Sequence, residues 1–346
     1  MKSFHPIQKA ALFSGPGRTK IGGSHTDHQH GHVFCASVDM DMLACAAPNG
    51  LNIIRIQSED YPALEIDLGD LDPKPAEENT SAAYEVPIGN IINHFFCGGE
   101  LDAVQIAKIG QYAENIYFGK PCDLMDQMGA SIGGVVAIDF RDPENPAIEK
   151  SDYDFAKSGH TLCIIDTGSC HADLTSDYAA IPAEMGAVAA YFGKTVLREV
   201  PEAEFRAAIQ TLRVICGDRA VLRAMHFYDD DRRAVGEAQA LKEGNFEKFL
   251  SLVNASGRSS TALLQNTWSI AAPKQQAVPL ALAEGERLLN GTRAIRVHGD
   301  GFAGTIQAFV PNGKLAEFKA GMETLLGPGK CHILRIRPQG GYVVAK

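Results

Sequence analysis

The most constraining feature of this chain is the run Gly15-Pro16-Gly17-Arg18-Thr19-Lys20-Ile21-Gly22-Gly23-Ser24-His25-Thr26-Asp27-His28-Gln29-His30-Gly31-His32. Two glycine pairs bracket an arginine, and no large apolar residue follows Ile21, which predicts that the run lies outside the hydrophobic core. We expect backbone turns to present Arg18, His25 and Asp27 to a polar ligand whose hydroxyls need charged, directional partners. A sugar fits this description.

The run resembles the signature of the galactokinases, a branch of the GHMP small-molecule kinases, in which Gly-Arg and a later His-Thr-Asp precede a glycine. Two further motifs are similar to those of the family and follow in the same order. The loop that carries the family's catalytic aspartate resembles Gly119-Lys120-Pro121-Cys122-Asp123-Leu124-Met125-Asp126-Gln127, and its C-terminal glycine-rich motif resembles His298-Gly299-Asp300-Gly301-Phe302-Ala303-Gly304. The resemblance runs over nearly the whole chain.

Strands and helices interleave along the sequence without a regular β-α-β period, which favours the α+β class. The resemblance implies the two-domain GHMP kinase fold. We expect residues 1–165 to form an N-terminal domain like ribosomal protein S5 domain 2, shortened near residues 75–82, and residues 166–346 to form a ferredoxin-like C-terminal domain. In such a fold the site lies in the cleft between the two domains.

Local patterns predict an N-terminal antiparallel sheet, from strands at about 33–48, 51–57 and 63–68. A helix is expected from about Asn79 to Cys97, although Pro87 removes one of its hydrogen bonds. The C-terminal half is expected to be mainly helical, with separate helices at about 217–228 and 230–242.

The resemblance implies transfer of the γ-phosphoryl group of ATP to D-galactose, giving ADP and galactose 1-phosphate without a phosphoenzyme. Position by position, it makes Asp126 the base for the anomeric hydroxyl. Arg18 is expected near Asp126, where it keeps the carboxylate ionised and counters charge on the transferring group. The alternative for Asp126 is an ordinary solvated loop carboxylate.

The resemblance also assigns the sugar contacts. His25 and Asp27 match family positions that contact the galactose hydroxyls, and Tyr178 matches another sugar contact. The alternative for Tyr178 is an aromatic side chain that packs on the core at the start of a helix. Ser24 stands where relatives have Glu or Asn, and Asp123 replaces a glycine that approaches the sugar through its backbone, so both are expected to alter the pocket.

For the nucleotide, the resemblance implies ATP with Mg²⁺ as the cofactor. Glu114 aligns with an acidic residue that helps to hold the metal, its alternative being a solvated helix face. Ser81 is expected to contact both metal and nucleotide, and Thr80, Gly299 and Gly301 to contact the nucleotide.

An absence sets this chain apart from the family. Galactokinases carry a motif Pro-x-Gly-x-Gly-Leu-Ser-Ser-Ser-Ala, whose amides cradle the ATP phosphates at a helix N-terminus. Here the matching helix is introduced by Glu77-Glu78-Asn79-Thr80-Ser81-Ala82-Ala83, and the two carboxylates would repel phosphate. We therefore expect an internal loss at this point. The alternative function is a catalytically impaired sugar-binding or regulatory protein.

Composition excludes other classes of partner. A net charge of -10 without clustered Lys or Arg argues against nucleic acid, and no apolar run reaches the ~18 residues of a membrane span. We expect a cytosolic monomer with D-galactose and ATP as substrates. The eight scattered cysteines are expected to be free thiols. The alternate histidines of residues 25–32 lack a completing Cys or carboxylate cluster, so we do not expect zinc.

Overall fold

The computed structural model describes residues 10–59, 61–72, 82–117, 122, 124–168, 174–291, 294–302 and 304–345. Its strands are β1 (Ala11–Gly22), β2 (His32–Ala46), β3 (Ile53–Ile56), β4 (Leu64–Asp67), β5 (Val135–Asp139), β6 (Ala147–Ser151), β7 (His160–Asp166), β8 (Ala294–Val297), β9 (Thr305–Pro311), β10 (Cys331–Leu334) and β11 (Tyr342–Ala345). Its helices are α1 (Ala82–Phe96), α2 (Ala103–Tyr112), α3 (Met125–Ile132), α4 (Thr175–Tyr191), α5 (Glu202–Ile215), α6 (Asp218–Lys242), α7 (Phe246–Ser259), α8 (Ala277–Leu289) and α9 (Leu315–Leu326). These elements confirm the predicted α+β class. Across the described residues, no helix has the length and apolarity needed to span a membrane.

The described residues pack into two compact units. Unit 1 takes those within Met1–Gly17, Asp41–Ile132 and Gln339–Lys346, and unit 2 those within Arg18–Met40 and Gly133–Pro338. Strands β1 and β2 each continue from one unit into the other. Because the units interleave along the chain, they do not test the domain boundary expected near residue 165, which stays a prediction.

Unit 1 combines short antiparallel pairings with three helices. Strand β11 pairs with the beginning of β1, and β3 pairs with β4. Helix α2 packs on both α1 and α3. It begins with a capping box in which the Asp102 carboxylate accepts the Gln105 amide at 2.8 Å and the Gln105 side chain accepts the Asp102 amide at 2.9 Å. Pro87 lies inside α1 and is buried against Gly15, where a Cβ would come within 2.4 Å of the ring.

Unit 2 contains two antiparallel pairings of strands around a helical layer. Strands β2, β5 and β6 follow one another in the first, and the order in the second is β10-β7-β9-β8. One hydrophobic core joins β2, β5, β7 and β9 to helices α6 and α7. Phe34, Phe249 and Phe309 lie at its centre, with the rings of Phe249 and Phe309 5.1 Å apart and nearly perpendicular.

Helix α6 corrects one prediction. The expected helices at 217–228 and 230–242 form a single helix, Asp218–Lys242, of 25 residues. The acidic run at 229–231 does not end it, because each carboxylate pairs with an arginine. These pairs are Asp229–Arg232 at 2.6 Å, Asp230–Arg233 at 2.9 Å and Asp231–Arg198 at 3.1 Å.

The prediction that residues 15–32 lie outside the core is wrong. The first part continues strand β1, and Thr19, Ile21 and Thr26 are fully buried. Burial is tolerated because the polar groups find partners within the fold. The Thr26 hydroxyl, for example, lies 2.9 Å from the Gly23 carbonyl and 2.6 Å from that of His32.

Truncating the core of unit 2 should cost much of its stability. We expect Phe249→Ala to lower the free energy of unfolding by about 3–5 kcal/mol, because the fully buried ring leaves a cavity. Val214→Ala on α5, where the side chain is 85% exposed, should change it by less than about 1 kcal/mol. Denaturant unfolding followed by circular dichroism measures both, and equal losses would contradict this description of the core.

Candidate functional site

The site segment is the connection between β1 and β2. The chain leaves β1 at Gly22, makes one turn of 3-10 helix at Asp27–Gln29 and enters β2 at His32. Gly23 has φ +73° and a Cβ there would lie 2.2 Å from the His32 carbonyl oxygen, so only glycine fits. His25 also adopts a left-handed conformation, with φ +55°. A non-glycine residue in this region is uncommon and marks a constrained position.

Helix α6 holds the Ser24 peptide at both ends. The Ser24 N–H donates to Asp230 Oδ2 at 2.8 Å, and the Ser24 carbonyl accepts from His226 Nε2 at 2.9 Å. Both side chains are fully buried and lie one helical turn apart on the same face. Burial opposes ionisation of Asp230, yet His226, Arg296 and Arg233 hold its pKa below the ordinary value. The result is a rigid anchor under the segment.

Asp27 forms a buried ion pair with Lys20. The Lys20 Nζ lies 2.9 Å from Asp27 Oδ2, and both side chains are only 3% exposed. Burial raises the pKa of Asp27, but Lys20 together with His28 and His25 leaves the pKa below its ordinary value, so the carboxylate stays ionised. In the described part of the chain neither Asp27 Oδ1 nor the buried Ser24 Oγ has a hydrogen-bond partner. Buried polar atoms without partners are costly to the stability of the fold.

His25 has both ring nitrogens engaged inside the protein. Its Nε2 lies 3.0 Å from the Asp300 carbonyl oxygen, and its Nδ1 lies 3.3 Å from His28 Nε2. Burial lowers the pKa of His25, and burial with the neighbouring His25 lowers that of His28 to about 3. Both rings are therefore neutral. A contact between a His25 nitrogen and a sugar hydroxyl stays a prediction, and it requires exchange of one of these bonds.

The described part of the C-terminal glycine motif forms a turn with four residues of positive φ, Gly299, Gly301, Phe302 and Gly304. A Cβ at Gly301 would lie 2.1 Å from the Asn266 carbonyl oxygen. The Asn266 side chain donates to the Asp300 carbonyl at 3.1 Å, and the Tyr178 hydroxyl donates to the Gly301 carbonyl at 3.1 Å. These side chains fix the turn through its backbone, so its shape does not depend on the Asp300 carboxylate.

Tyr178 shows features of its packing alternative. Its ring stands perpendicular to that of Phe302, with the centroids 5.4 Å apart. Burial, with Asp300 and Asp177 nearby, raises the pKa of Tyr178 to about 12, so the hydroxyl remains a donor. Its contact with a sugar stays a prediction.

Asp126 and Arg18 occupy well-defined backbone positions. Asp126 is the second residue of α3 and is partly buried, in the first turn where the helix dipole stabilises a negative charge. Arg18 lies within β1 and is also partly buried. The roles of Asp126 as base and of Arg18 toward the phosphoryl group stay predictions.

Glu114 lies in a buried polar cluster of unit 1, not on a solvated helix face. It is 3% exposed, in the π-turn Ala113–Tyr117. The Gln127 Nε2 donates to Glu114 Oε2 at 3.2 Å and to Glu85 Oε2 at 3.1 Å. Burial and the hydrogen bond to Glu114 raise the pKa of the Cys122 thiol, which stays protonated. Gln127 directly follows Asp126, so one turn of chain positions both the predicted base and the predicted metal ligand.

Of the residues predicted to hold the metal ion, Glu114 alone lies in the described part of the chain. Within the ranges that the structure describes, no three His, Cys, Asp or Glu side chains form a group able to hold a metal ion. The buried carboxylate of Glu114 is of the type that Mg²⁺ prefers. Thr80, Ser81 and Asp123 lie outside the described residues, together with the point of the expected internal loss, and their roles stay predictions.

Sequence reasoning missed four residues of this site. Lys20 was within the signature run, where it is the one lysine available to pair with an aspartate. His226 and Asp230 had a signal in their spacing of four, which places them on one helix face. Asn266 gave no signal, because its role follows from the left-handed turn that it supports.

Comparison with known proteins gives three related findings. Residues 2–48 match the family described as "Galactokinase galactose-binding signature". The galactokinase of Streptomyces coelicolor is 25% identical over 347 residues, covering 88% of this chain and 85% of that protein. The crystal structure of Lactococcus lactis galactokinase complexed with galactose matches with a TM-score of 0.82 at 20% identity, covering 98% of this chain and 96% of that one.

The fold extends to other small-molecule kinases. Methanococcus jannaschii mevalonate kinase matches with a TM-score of 0.62 at 12% identity, over 96% of this chain and 99% of that one. The Streptomyces alignment is 347 positions long, which is more than the residues that 88% of this chain supplies. The relative therefore has residues where this chain has none. The internal loss expected near residues 75–82 stays a prediction.

The buried neutral histidines generate a prediction for stability. The pKa of His28 rises from about 3 in the fold to about 6.5 in the unfolded chain, so the unfolded chain binds more protons between these values. The free energy of unfolding should therefore fall as the pH falls, by about 1.4 kcal/mol per pH unit for this residue.

His28→Gln isolates that contribution, because other groups titrate in the same range. Glu237, whose pKa burial raises well above the ordinary value, acts in the opposite direction. Between about pH 4 and pH 6, the loss of stability per pH unit should be about 1.4 kcal/mol smaller in the variant than in the wild type. Parallel curves from denaturant unfolding would show that His28 is not buried neutral.

Proposed function

We propose that this chain, a relative of the galactokinases by signature, sequence and fold, is an ATP-dependent sugar kinase that phosphorylates D-galactose at the anomeric hydroxyl. One observation carries the proposal beyond the comparisons. Within the matched signature, the fold buries Ser24 Oγ and Asp27 Oδ1 without partners in the described structure. A sugar hydroxyl can both donate and accept, so it suits a serine hydroxyl and an ionised carboxylate together.

In the proposed reaction the anomeric oxygen of galactose attacks the γ-phosphorus of ATP in line with the leaving group. A new phosphorus–oxygen bond forms as the bond to ADP breaks, and galactose 1-phosphate results. Asp126, in the first turn of α3, accepts the proton of the attacking hydroxyl on its carboxylate. Arg18 supplies positive charge to the transferring group.

Sugar recognition is proposed to centre on Asp27. Lys20 engages one of its oxygens and orients the carboxylate, which leaves Oδ1 to accept a sugar hydroxyl. Ser24 is shorter than the Glu or Asn expected at its position, so its hydroxyl reaches a smaller part of the ligand. His25, Asp123 and Tyr178 are proposed to complete the sugar contacts.

The nucleotide is proposed to bind the glycine turn and the remaining hydroxyls of the shortened loop. At Gly299 no described atom lies within 4 Å of the position that a Cβ would take, which leaves room for close approach of a ligand to the backbone. Gly301, Thr80 and Ser81 are proposed to contribute further contacts. Glu114 and Ser81 would hold Mg²⁺, which when bound neutralises charge on the phosphates.

The alternative function receives no support from the comparisons. The matches given above are to kinases, and the galactose-binding signature is retained. Loss of the phosphate loop motif remains the feature that an activity measurement must address.

Asp126 can be tested by an isosteric change. Asp126→Asn should lower galactose-dependent release of ADP by about 10²–10⁴-fold, because the amide cannot accept the hydroxyl proton. Asp102→Asn is the matched control, since Asn is an equally good helix N-cap and should leave the rate unchanged. A coupled assay for ADP measures both variants. Full activity in Asp126→Asn would remove this residue from the chemistry.

Ser24 can be tested by comparing binding with stability. Ser24→Ala should raise the KM for galactose by about 5–10-fold through loss of a hydrogen bond to the sugar. Stability should not fall, because in the described structure the hydroxyl has no partner to lose. Ser260→Ala is the matched control, since its hydroxyl is likewise buried without a described partner and lies outside the proposed site. An unchanged KM in Ser24→Ala would contradict the proposed contact.

A further inference from the structure

Gln29 is buried with its amide orientation fixed by the backbone. The side chain is only 2% exposed, and the Leu197 N–H lies 2.9 Å from the atom assigned as Gln29 Oε1. A backbone N–H can only donate, so the amide atom that faces Leu197 must be the oxygen. The other amide atom is therefore the NH₂ group, which can only donate.

This orientation determines the tautomer of His28. The Gln29 NH₂ lies 3.3 Å from His28 Nδ1 and also donates to the His28 carbonyl at 3.3 Å. Because Nδ1 faces a donor, it must accept, and the ring proton of neutral His28 is then on Nε2.

The same reasoning determines the tautomer of His25. His28 Nε2 lies 3.3 Å from His25 Nδ1, so His25 Nδ1 must accept, which places the His25 proton on Nε2. His25 Nε2 in turn lies 3.0 Å from the Asp300 carbonyl oxygen, which can only accept. Each donor along the series meets an acceptor.

We propose that Gln29, His28 and His25 form a hydrogen-bond chain of fixed direction, from the Leu197 amide to the Asp300 carbonyl, in which Gln29 and His28 are positioning residues. The chain connects the 3-10 turn Leu197–Glu199 to the glycine turn that begins at Gly299. It sets the orientation of His25 before any ligand arrives. The inference deepens the proposed function only in that it takes this segment as the sugar site; the chain itself is present without substrate.

Burial keeps both rings neutral although carboxylates lie near them. Lys20 and Asp27 on the same segment, Asp300 on the glycine turn and His226 on α6 face the two imidazoles. Protonating His28 would place an N–H on Nδ1 against the Gln29 NH₂, so two donors would meet. A charged ring cannot be accommodated without breaking the chain.

The direct test is a long-range ¹H–¹⁵N correlation spectrum of the histidine rings at neutral pH, without sugar or nucleotide. Single histidine replacements assign the signals. We expect His25 and His28 both as neutral Nε2–H tautomers. An Nδ1–H tautomer or a charged ring at either position would overturn the proposal, whatever the enzyme does with galactose.

Gln29→Glu reverses one link without changing the shape of the side chain. The carboxylate can still accept from Leu197, but it presents an acceptor to His28 Nδ1. We expect the His28 proton to move to Nδ1, or the ring to become charged, and the backbone amide signals of Gly301 and Phe302 to shift. Gln105→Glu, which adds the same charge at the capping box of α2, should leave the His28 and His25 signals unchanged.

These outcomes test the hydrogen-bond chain separately from the proposed kinase function. An unchanged His28 tautomer in Gln29→Glu would show that the chain has no fixed direction. If the backbone amide signals of Gly301 and Phe302 do not shift, the hydrogen-bond chain does not position the glycine turn. Since both measurements use ligand-free protein, failure of the galactose assay would leave their result standing.

Discussion

Two hydrogen bonds from helix α6 to a single peptide are the interaction on which the site depends. Asp230 and His226 engage the N–H and the carbonyl of Ser24 from one buried helix face. Hydrogen bonds to a charged partner contribute about 1.5–3 kcal/mol, more than neutral ones. The neighbouring Gly22 lies so close to Glu237 that a Cβ there would come within 1.8 Å of its carboxyl oxygen. Helix α6 thus holds the segment through its backbone.

Internal hydrogen bonds and an ion pair explain why this polar segment can be buried. The ion pair of Lys20 with Asp27 and the hydrogen bonds of His25 satisfy most of its polar atoms inside unit 2. The exceptions, Ser24 Oγ and Asp27 Oδ1, belong to two of the residues for which the galactokinase resemblance predicts a place in the sugar pocket. Desolvation of a partner-free polar atom costs stability, and binding a sugar hydroxyl recovers it. A fixed geometry also lowers the entropy lost when the ligand binds.

The sequence predicted the class of fold, because the interleaving of strands and helices follows from local patterns. Alternating apolar residues at 63–68 predicted the strand that is β4, and the predicted helix around Pro87 is α1. Burial of residues 15–32 was missed, since a polar run is buried only when distant residues supply hydrogen-bond partners. Here Gln307 and Arg296 supply such partners, and both lie far along the chain. Helix α6 was split into two helices because pairing of its aspartates with arginines is a property of the folded chain.

The residues of the candidate site also differ in whether a local pattern or a distant contact determines them. Ser24, His25 and Asp27 could be predicted as sugar contacts because they lie close together in the chain and match a motif, and that role stays a prediction. Asn266 could not, and His226 and Asp230 only through their spacing of four, because all three act through backbone atoms of residues far away in sequence. Their identities are determined by the geometry of the turn that they hold, which a single sequence does not contain.

The measurement that tests the central claim most directly is a crystal structure of this protein with D-galactose. The account predicts one sugar in the signature segment, with hydroxyl oxygens within about 3 Å of Ser24 Oγ and Asp27 Oδ1 and the Ser24 peptide still bonded to α6. Galactose bound elsewhere, or bound without contact to either atom, would contradict the account.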